Sequence, residues 1–411
     1  MITVIGFDGS EPSPAARARL DAAALVTGAE RILRRVRTAV PPVPAADDAA
    51  AVAAVEAHLE RGEGPAVVVA DGDPGFFGVV RALRERGLAP EVLPAASLVT
   101  RAFGRAGLPW EDALVLAAPD LRRAANVCRA HHKVAVLTAP GIGPAELARA
   151  LAPTTPRALI VFEDLGGPGE RITHSRMGEA TTRPWRDPAL VLVLDPRHRP
   201  AERTWLAGAR PGPGRWALDF TSAPHAVPGP AAAAVPGSGA APGAVPWAGP
   251  EARAFVLARL GPRLGAMVWD VGAGAGDVAV ECARFGAAVV AVERDPARCE
   301  TIKRNVLEHH VKVALTRGDA PAALEPLPDP DAVHVGGGGP AVVAACAARS
   351  PESLVCTLGA ADRVPALLTI LREHGYHAEG LRLHASRLDG AHHLAPNAPV
   401  YIVHGTRIGP G

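Results

Sequence analysis

The sequence predicts an α/β protein of two domains joined by a Pro-rich linker. Three observations carry this. Apolar β-type runs alternate with helical patterns along most of the 411 residues, as in sheets covered by helices. Residues 223–250 hold seven Pro, five Gly and ten Ala with no periodic apolar face, so they read as a semi-stiff linker where proteolysis is expected to cut first. A glycine-rich turn, DVGAGAGD at 270–277, follows the first apolar run beyond that linker. Domains are therefore expected over 1–210 and 248–411, with the linker over 211–247.

Strand candidates in the first domain are 2–6, 66–70, 91–93, 113–117, 134–138, 158–163 and 189–194, with helices over 12–28, 47–62, 76–87, 97–106 and 144–151. In the second they are 266–271, 287–293, 311–316, 332–335, 353–358 and 399–404. Helical patterns occupy 296–309 and 362–374, the latter with Val364, Leu367, Leu368 and Leu371 as its core stripe. Near-continuous apolar strands imply a parallel sheet covered on both faces.

Composition narrows the function. Net charge is +1, which argues against a nucleic-acid binder working through bulk positive charge. Three Lys stand against 40 Arg, a skew that reads first as genome composition. No apolar run long enough for a bilayer occurs outside the Pro/Gly-broken 231–248, and MITVIGFDGS shows no secretory pattern, so a cytoplasmic protein is expected. Five scattered cysteines without a CxxC suggest reduced core thiols and no metal site. The His pairs at 131–132, 309–310 and 392–393 are adjacent, unlike helical ligand spacing, and read as surface residues.

The strongest local signal is the 270–277 turn. Gly272, Gly274 and Gly276, separated by Ala273 and Ala275, let the backbone turn tightly and approach a ligand. Glu293 lies 21 residues after Gly272, where an acid can accept hydrogen bonds from ribose hydroxyls. A dinucleotide would use GxGxxA, which Gly274, Gly276 and Ala279 match. S-adenosylmethionine (SAM) suits an acid followed by GxGxG, and that register favours it. A turn that binds nothing is the bland alternative. GDAP (318–321) brings Asp319 and Ala320 to where an adenine would rest, and VHVGGGGP (333–340) brings Gly336 and Gly337 to the ligand end of a fourth strand. The Asn/Asp-Pro-Pro-aromatic motif of base N-methylases is absent.

In this order and spacing, these stretches resemble the decarboxylating carbon-15 methyltransferases of corrin biosynthesis. In the first domain, ADGDPGFFG (70–78) and VLPAAS (92–97) resemble the tetrapyrrole methylases, two-lobed α/β proteins whose matching loops hold SAM. That resemblance assigns Gly72, Asp73, Pro74, Pro94 and Ser97 to the cofactor. LPWED (108–112), LTAPGIGPAE (137–146) and FEDLGGPGERI (162–172) match the subfamily acting on carbon 5. The domain order is that of the decarboxylating precorrin-6Y C(5,15)-methyltransferases. The second domain is thus expected to be a Rossmann-like class I SAM methyltransferase. The resemblance implies methylation at both carbons with loss of a ring acetate carboxyl, in cobalamin biosynthesis. It implies a polycarboxylate corrinoid substrate, no nucleic-acid or membrane partner, and leaves a homo-oligomer open.

Departures cluster in the first domain. GFDGS (6–10) replaces a Gly-x-Gly-Pro-Gly opening, Asp71 stands for a Ser, and Ala118–Arg122 replaces a His-Gly-Arg stretch; in the second domain Ala248–Gly249 replaces a Thr-Lys pair. One alternative is therefore an active second domain with a first domain that only binds tetrapyrrole. The other is an NAD-dependent oxidoreductase. Methyl transfer relies largely on alignment, so no nucleophilic triad is expected. Arg31, Arg34, Arg35 and Arg37, and Arg382, His384 and Arg387, are candidate carboxylate forks, or else solvated faces.

Overall fold

The computed structural model describes residues 1–118, 120–152, 154–186, 189–197, 250–388, 394–396 and 399–407. The stretch read as a linker lies outside them, as do Ala248, Gly249, His392 and His393. The chain divides into two compact units, 1–119, 133–152 and 156–209 in the first and 120–132, 153–155 and 210–411 in the second.

The first unit opens with β1 (Ile2–Phe7), α1 (Pro14–Asp21), β2 (Leu25–Gly28), α2 (Glu30–Leu33), β3 (Val43–Pro44), α3 (Asp48–Arg61), β4 (Ala66–Asp71), α4 (Val79–Glu85), β5 (Glu91–Leu93) and α5 (Leu98–Ala106). Its five strands form a parallel sheet in the order β3-β2-β4-β1-β5. The helix expected over 12–28 is two elements. Ala22–Ala24 suit a helix, but Leu25–Gly28 is a buried strand paired with Ala66–Val69. Cross-strand pairing of Val26 and Thr27 outweighs local propensity there. The helix expected from 76 starts at Val79, because Phe77 has φ 53° and Gly78 is extended.

A second lobe follows, with β6 (Leu114–Leu116), α6 (Leu121–Ala130, grouped with the second unit), β7 (Lys133–Leu137), α7 (Pro144–Leu151), β8 (Ala158–Glu163), β9 (Arg171–Arg176), α8 (Met177–Ala180) and β10 (Ala189–Leu194). The sheet order is β6-β7-β10-β8-β9, parallel only between β6 and β7. α5 buries Val99, Ala102 and Phe103 against this sheet. β9, RITHSR, escaped the sequence reading because an edge strand needs little apolar surface.

The second unit continues with α9 (Pro250–Leu260), β11 (Met267–Val271), α10 (Asp277–Arg284), β12 (Ala288–Glu293), α11 (Pro296–Glu308), β13 (Ala314–Arg317), β14 (Ala332–Val335), α12 (Pro340–Ala348), β15 (Ser353–Leu358), α13 (Val364–Glu373), β16 (Tyr376–Leu383), β17 (Ser386–Leu388), β18 (Leu394–Pro396) and β19 (Val400–Arg407). Its main sheet runs β13-β12-β11-β14-β15-β19-β16. The first five strands are parallel, as expected, but the run expected at 399–404 is corrected: as β19 it is antiparallel, because it pairs along its length with the antiparallel edge strand β16. β16 was not foreseen, because HAEGLRL mixes exposed polar residues into its run. Along β11, Met267, Trp269 and Val271 enter one core while Val268 enters the other, with Asp270 as the polar exception on that second face. Strand order reverses at β11 and β14, so a ligand crevice belongs outside their carboxyl ends.

All five cysteines are free and buried. His131 and His132 are also buried, 6% and 8% exposed, with stacked rings; the surface reading of that pair is corrected. They directly precede the buried strand β7, and burial there overrides their polarity. Among the described residues no helix is long and apolar enough to cross a membrane, and no group of three or more His, Cys, Asp or Glu is placed to hold a metal.

Candidate functional site

In the second unit, β11 is followed by three glycines with left-handed backbone, Gly272 (φ 70°), Gly274 (60°) and Gly276 (84°). A Cβ on Gly272 would lie 2.7 Å from Gly337 N. The turn after β11 and the turn after β14 therefore touch backbone to backbone, which brings Gly336 and Gly337 beside Gly272. Gly276 leads into α10, and Asn305 Nδ2 donates to Ala275 O at 2.8 Å.

Glu293 ends β12 and is 4% exposed. Its Oε2 accepts from Gly274 N at 2.9 Å, and its Oε1 from Arg294 N and Asp295 N at 2.9 and 3.0 Å. The carboxylate thus anchors the glycine turn, and each oxygen keeps further acceptor capacity. Gly318 N donates to the Glu293 carbonyl at 3.1 Å, tying the 318–321 turn to the same corner. Ala320 precedes a cis proline, and Asp319 is an exposed side chain 3.5 Å from Arg294 Nη1. Four turns, at 272–276, 293–295, 318–320 and 336–339, thereby gather at the carboxyl ends of β11 to β14.

Beneath them, Asp270 Oδ2 accepts from Ala279 N at 3.0 Å, and His334 Nδ1 donates to Asp270 Oδ1 at 2.8 Å. Asp277 is paired with Arg253 at 3.2 Å. Burial pushes the Asp277 carboxyl up, Arg253 opposes it, and the net shift is upward. Arg253, Asn305, His334 and Thr357 were missed as contributors. For His334 a signal was present: a polar residue inside the apolar run AVHV calls for a partner. Asp270, Asp277 and Glu293 make this an acid-rich turn.

In the first unit, a Cβ on Gly6 would lie 2.5 Å from Gly72 O and 2.7 Å from Ala95 N. The carboxyl ends of β1, β4 and β5 therefore converge, and the DGDP and PAAS turns meet there. Gly72 is left-handed (φ 64°), Asp73 Oδ1 accepts from Gly75 N at 2.8 Å, and Ser97 Oγ caps α5 by accepting from Thr100 N at 3.0 Å. Pro74 is buried and Pro94 exposed. Asp71 is already paired, with Arg31 Nη1 at 2.6 Å. In the altered opening loop, burial would raise the Asp8 carboxyl, but hydrogen bonds from Ser10 hold it below its usual range. A Cβ on Gly9 would overlap Gly166 O, so this loop abuts the 164–167 turn. Arg35 donates to Gly166 O, and Arg101 Nη1 donates to Leu165 O at 3.4 Å.

The first arginine cluster is thus dispersed. Arg31 serves Asp71, Arg34 pairs with Glu30, Arg35 holds Gly166, and the Arg37 carbonyl accepts from Arg17. Arg382 and His384 are exposed, and the side chain of Arg387 lies outside the described residues.

Residues 248–405 match the family described as precorrin methyltransferase domain, and residues 11–181 match the tetrapyrrole (corrin/porphyrin) methylases. A precorrin-6Y C(5,15)-methyltransferase [decarboxylating] of Sinorhizobium sp is 32% identical over 299 residues, 69% of this chain and 65% of that protein. Its counterpart from Mycobacterium tuberculosis is 31% identical over 294 residues, 68% of this chain and 66% of that protein. The matched stretches thus span just under two thirds of these relatives' lengths. A probable cobalt-precorrin-6B C(15)-methyltransferase (decarboxylating) of Pyrobaculum aerophilum is 30% identical over 172 residues, 39% of this chain and 88% of that protein.

Proposed function

Because the chain belongs to the decarboxylating precorrin methyltransferases, with a tetrapyrrole methylase domain ahead of the C-terminal one, we propose that it methylates a corrinoid precursor of cobalamin at carbons 5 and 15 and removes a ring acetate carboxyl. SAM is the donor; when bound, it supplies a methyl group to an electron-rich ring carbon by in-line displacement. One observation carries the reading most: four turns converge at the carboxyl ends of β11 to β14 around an acid-rich glycine turn.

The chain's own residues bind and align. Gly272 to Gly276 offer backbone at close range, and Glu293 takes the ribose hydroxyls on its remaining lone pairs. Asp319 and Ala320 flank the base, and Gly336 and Gly337 close the crevice. In the N-terminal domain Gly72, Asp73, Pro74, Pro94 and Ser97 shape the second SAM site. Alignment and exclusion of water supply most of the rate, since the leaving thioether is neutral. We take the domains as 1–210 and 248–411, with 211–247 between them. Five free buried thiols fit a reducing, cytoplasmic setting. Neither a nucleic acid nor a membrane is a partner in this reading, and a homo-oligomer stays open.

A second reading, in which the N-terminal domain binds tetrapyrrole without methylating it, is favoured by the Arg31–Asp71 pair beside its SAM turn and by the altered 6–10 loop. Product mass after incubation of the full chain with SAM and precorrin-6Y separates the two. Two methyl groups gained with one carbon dioxide lost support the full activity. One methyl gained with that loss supports the second reading, and an unchanged mass sinks both.

A further inference from the structure

β14 carries one ionisable side chain, His334, 0% exposed. It sits in register with Asp270 on β11, so the two side chains share a sheet face. His334 Nδ1–H donates to Asp270 Oδ1 at 2.8 Å, which leaves Nε2 directed outward along the sheet. Nε2 lies 3.2 Å from the hydroxyl of Thr357, near the carboxyl end of β15. Thr357 is half-buried and stands two residues beyond Val355, the β15 residue in register with His334. A carboxylate, an imidazole and a hydroxyl therefore form a hydrogen-bonded line from the sealed interior toward the carboxyl end of β15.

Replacing a carboxyl by hydrogen needs a proton at the carbon that loses carbon dioxide. We propose that Asp270, His334 and Thr357 form the proton-delivery line for the decarboxylation, an inference that rests on the function proposed above. The bond between the acetate methylene and its carboxylate breaks, and carbon dioxide leaves. The electron pair stays on the methylene carbon, delocalised into the macrocycle, until the Thr357 hydroxyl proton forms the new C–H bond. Imidazolium His334 returns a proton from Nε2 to the Thr357 oxygen and becomes neutral, with Nδ1–H still held by Asp270. The line then reloads from solvent through the Thr357 hydroxyl. In this scheme Thr357 is the catalytic residue, and Asp270 is a positioning residue acting through His334.

The test uses the full chain with SAM and precorrin-6Y, following carbon dioxide release and, separately, SAM affinity by calorimetry. Thr357→Val is expected to slow carbon dioxide release by about 100-fold or more, the usual weight of a positioned acid, with SAM affinity unchanged. Thr357→Ser is expected to restore most of the rate, and His334→Gln to behave as Thr357→Val does. Intact SAM binding shows that each variant is folded. Carbon dioxide release at the wild-type rate in Thr357→Val overturns the proposal. So does a Thr357→Ser variant as slow as Thr357→Val, or a loss of rate matched by an equal loss of SAM affinity. A wild-type chain that neither gains methyl nor loses carbon dioxide refutes the proposed function instead, and is told apart by that control.

Discussion

Glu293 shows how one carboxylate serves both shape and recognition. It holds three backbone N–H groups at the mouth of the crevice, so its loss frees the glycine turn as well as the ligand. Glu293→Ala is expected to weaken SAM binding at the C-terminal site by about 1.5–3 kcal/mol, the range for hydrogen bonds to a charged group. Titration calorimetry of the folded variant checks this, and an unchanged dissociation constant removes Glu293 from the site. Glu163 is a residue of stability. Burial alone would raise its carboxyl, but the Arg171 guanidinium and the Arg186 N–H outweigh that and hold it below its ordinary 4.5. A carboxyl depressed in the folded state stabilises fully above its unfolded value, and that stabilisation fades as pH falls through the folded one. The Tm advantage of wild type over Glu163→Gln is therefore expected to be largest at neutral pH and to shrink below pH 4.5. An advantage constant from neutral to acid would show that Arg171 and Arg186 do not act through charge.

At the scale of elements, the crevice is made by turns that touch. Gly272 has φ 70°, and a Cβ there would press on Gly337 N at 2.7 Å. Gly375 is also left-handed, at φ 83°, but a Cβ there would meet nothing within 4 Å. Gly375→Ala should therefore cost only the backbone penalty, about 1 kcal/mol. Gly272→Ala should add displacement of the 336–339 turn, for a total of about 2–4 kcal/mol, and should weaken SAM binding too. Denaturant unfolding of both variants compares them, and equal costs would mean the two turns do not constrain each other. The elements most legible in the sequence were the buried parallel strands, whose runs are apolar without interruption. β9 and β16 were invisible because edge strands tolerate polar residues, and β2 was hidden behind an alanine run that favours helix locally.

For the whole molecule, stoichiometry is the decisive quantity. The two glycine-bearing crevices lie in separate units, and each has its own turns in contact. Calorimetry of the full chain is expected to give two SAM per chain, and Glu293→Ala to weaken one binding event while the other persists. A single event in wild type that vanishes in this variant would leave the N-terminal domain as a binding module. The Arg31–Asp71 pair bears on that outcome. Asp71→Ser removes a carboxylate from the N-terminal crevice and is expected to shift only the affinity of the event that Glu293→Ala spares.

The sequence by itself determined the α/β class, the glycine turns with their acid, and the resemblance to corrin methyltransferases, because each is written in local spacing. A strand followed by closely spaced glycines has few conformations open to it. Only the tertiary structure decided what those turns meet. Gly272 faces Gly337 across 64 intervening residues, and Gly6 meets both Gly72 and Ala95. The same holds for charge. Arg31, Arg34, Arg35 and Arg37 read as one cluster along the chain, yet folding sends three of these side chains to three different acceptors. His334 looked like an interruption in an apolar strand until parallel pairing set it beside Asp270. Chain-local geometry fixes where a turn falls, but strand order and register choose its neighbours, and those depend on residues far away in the chain.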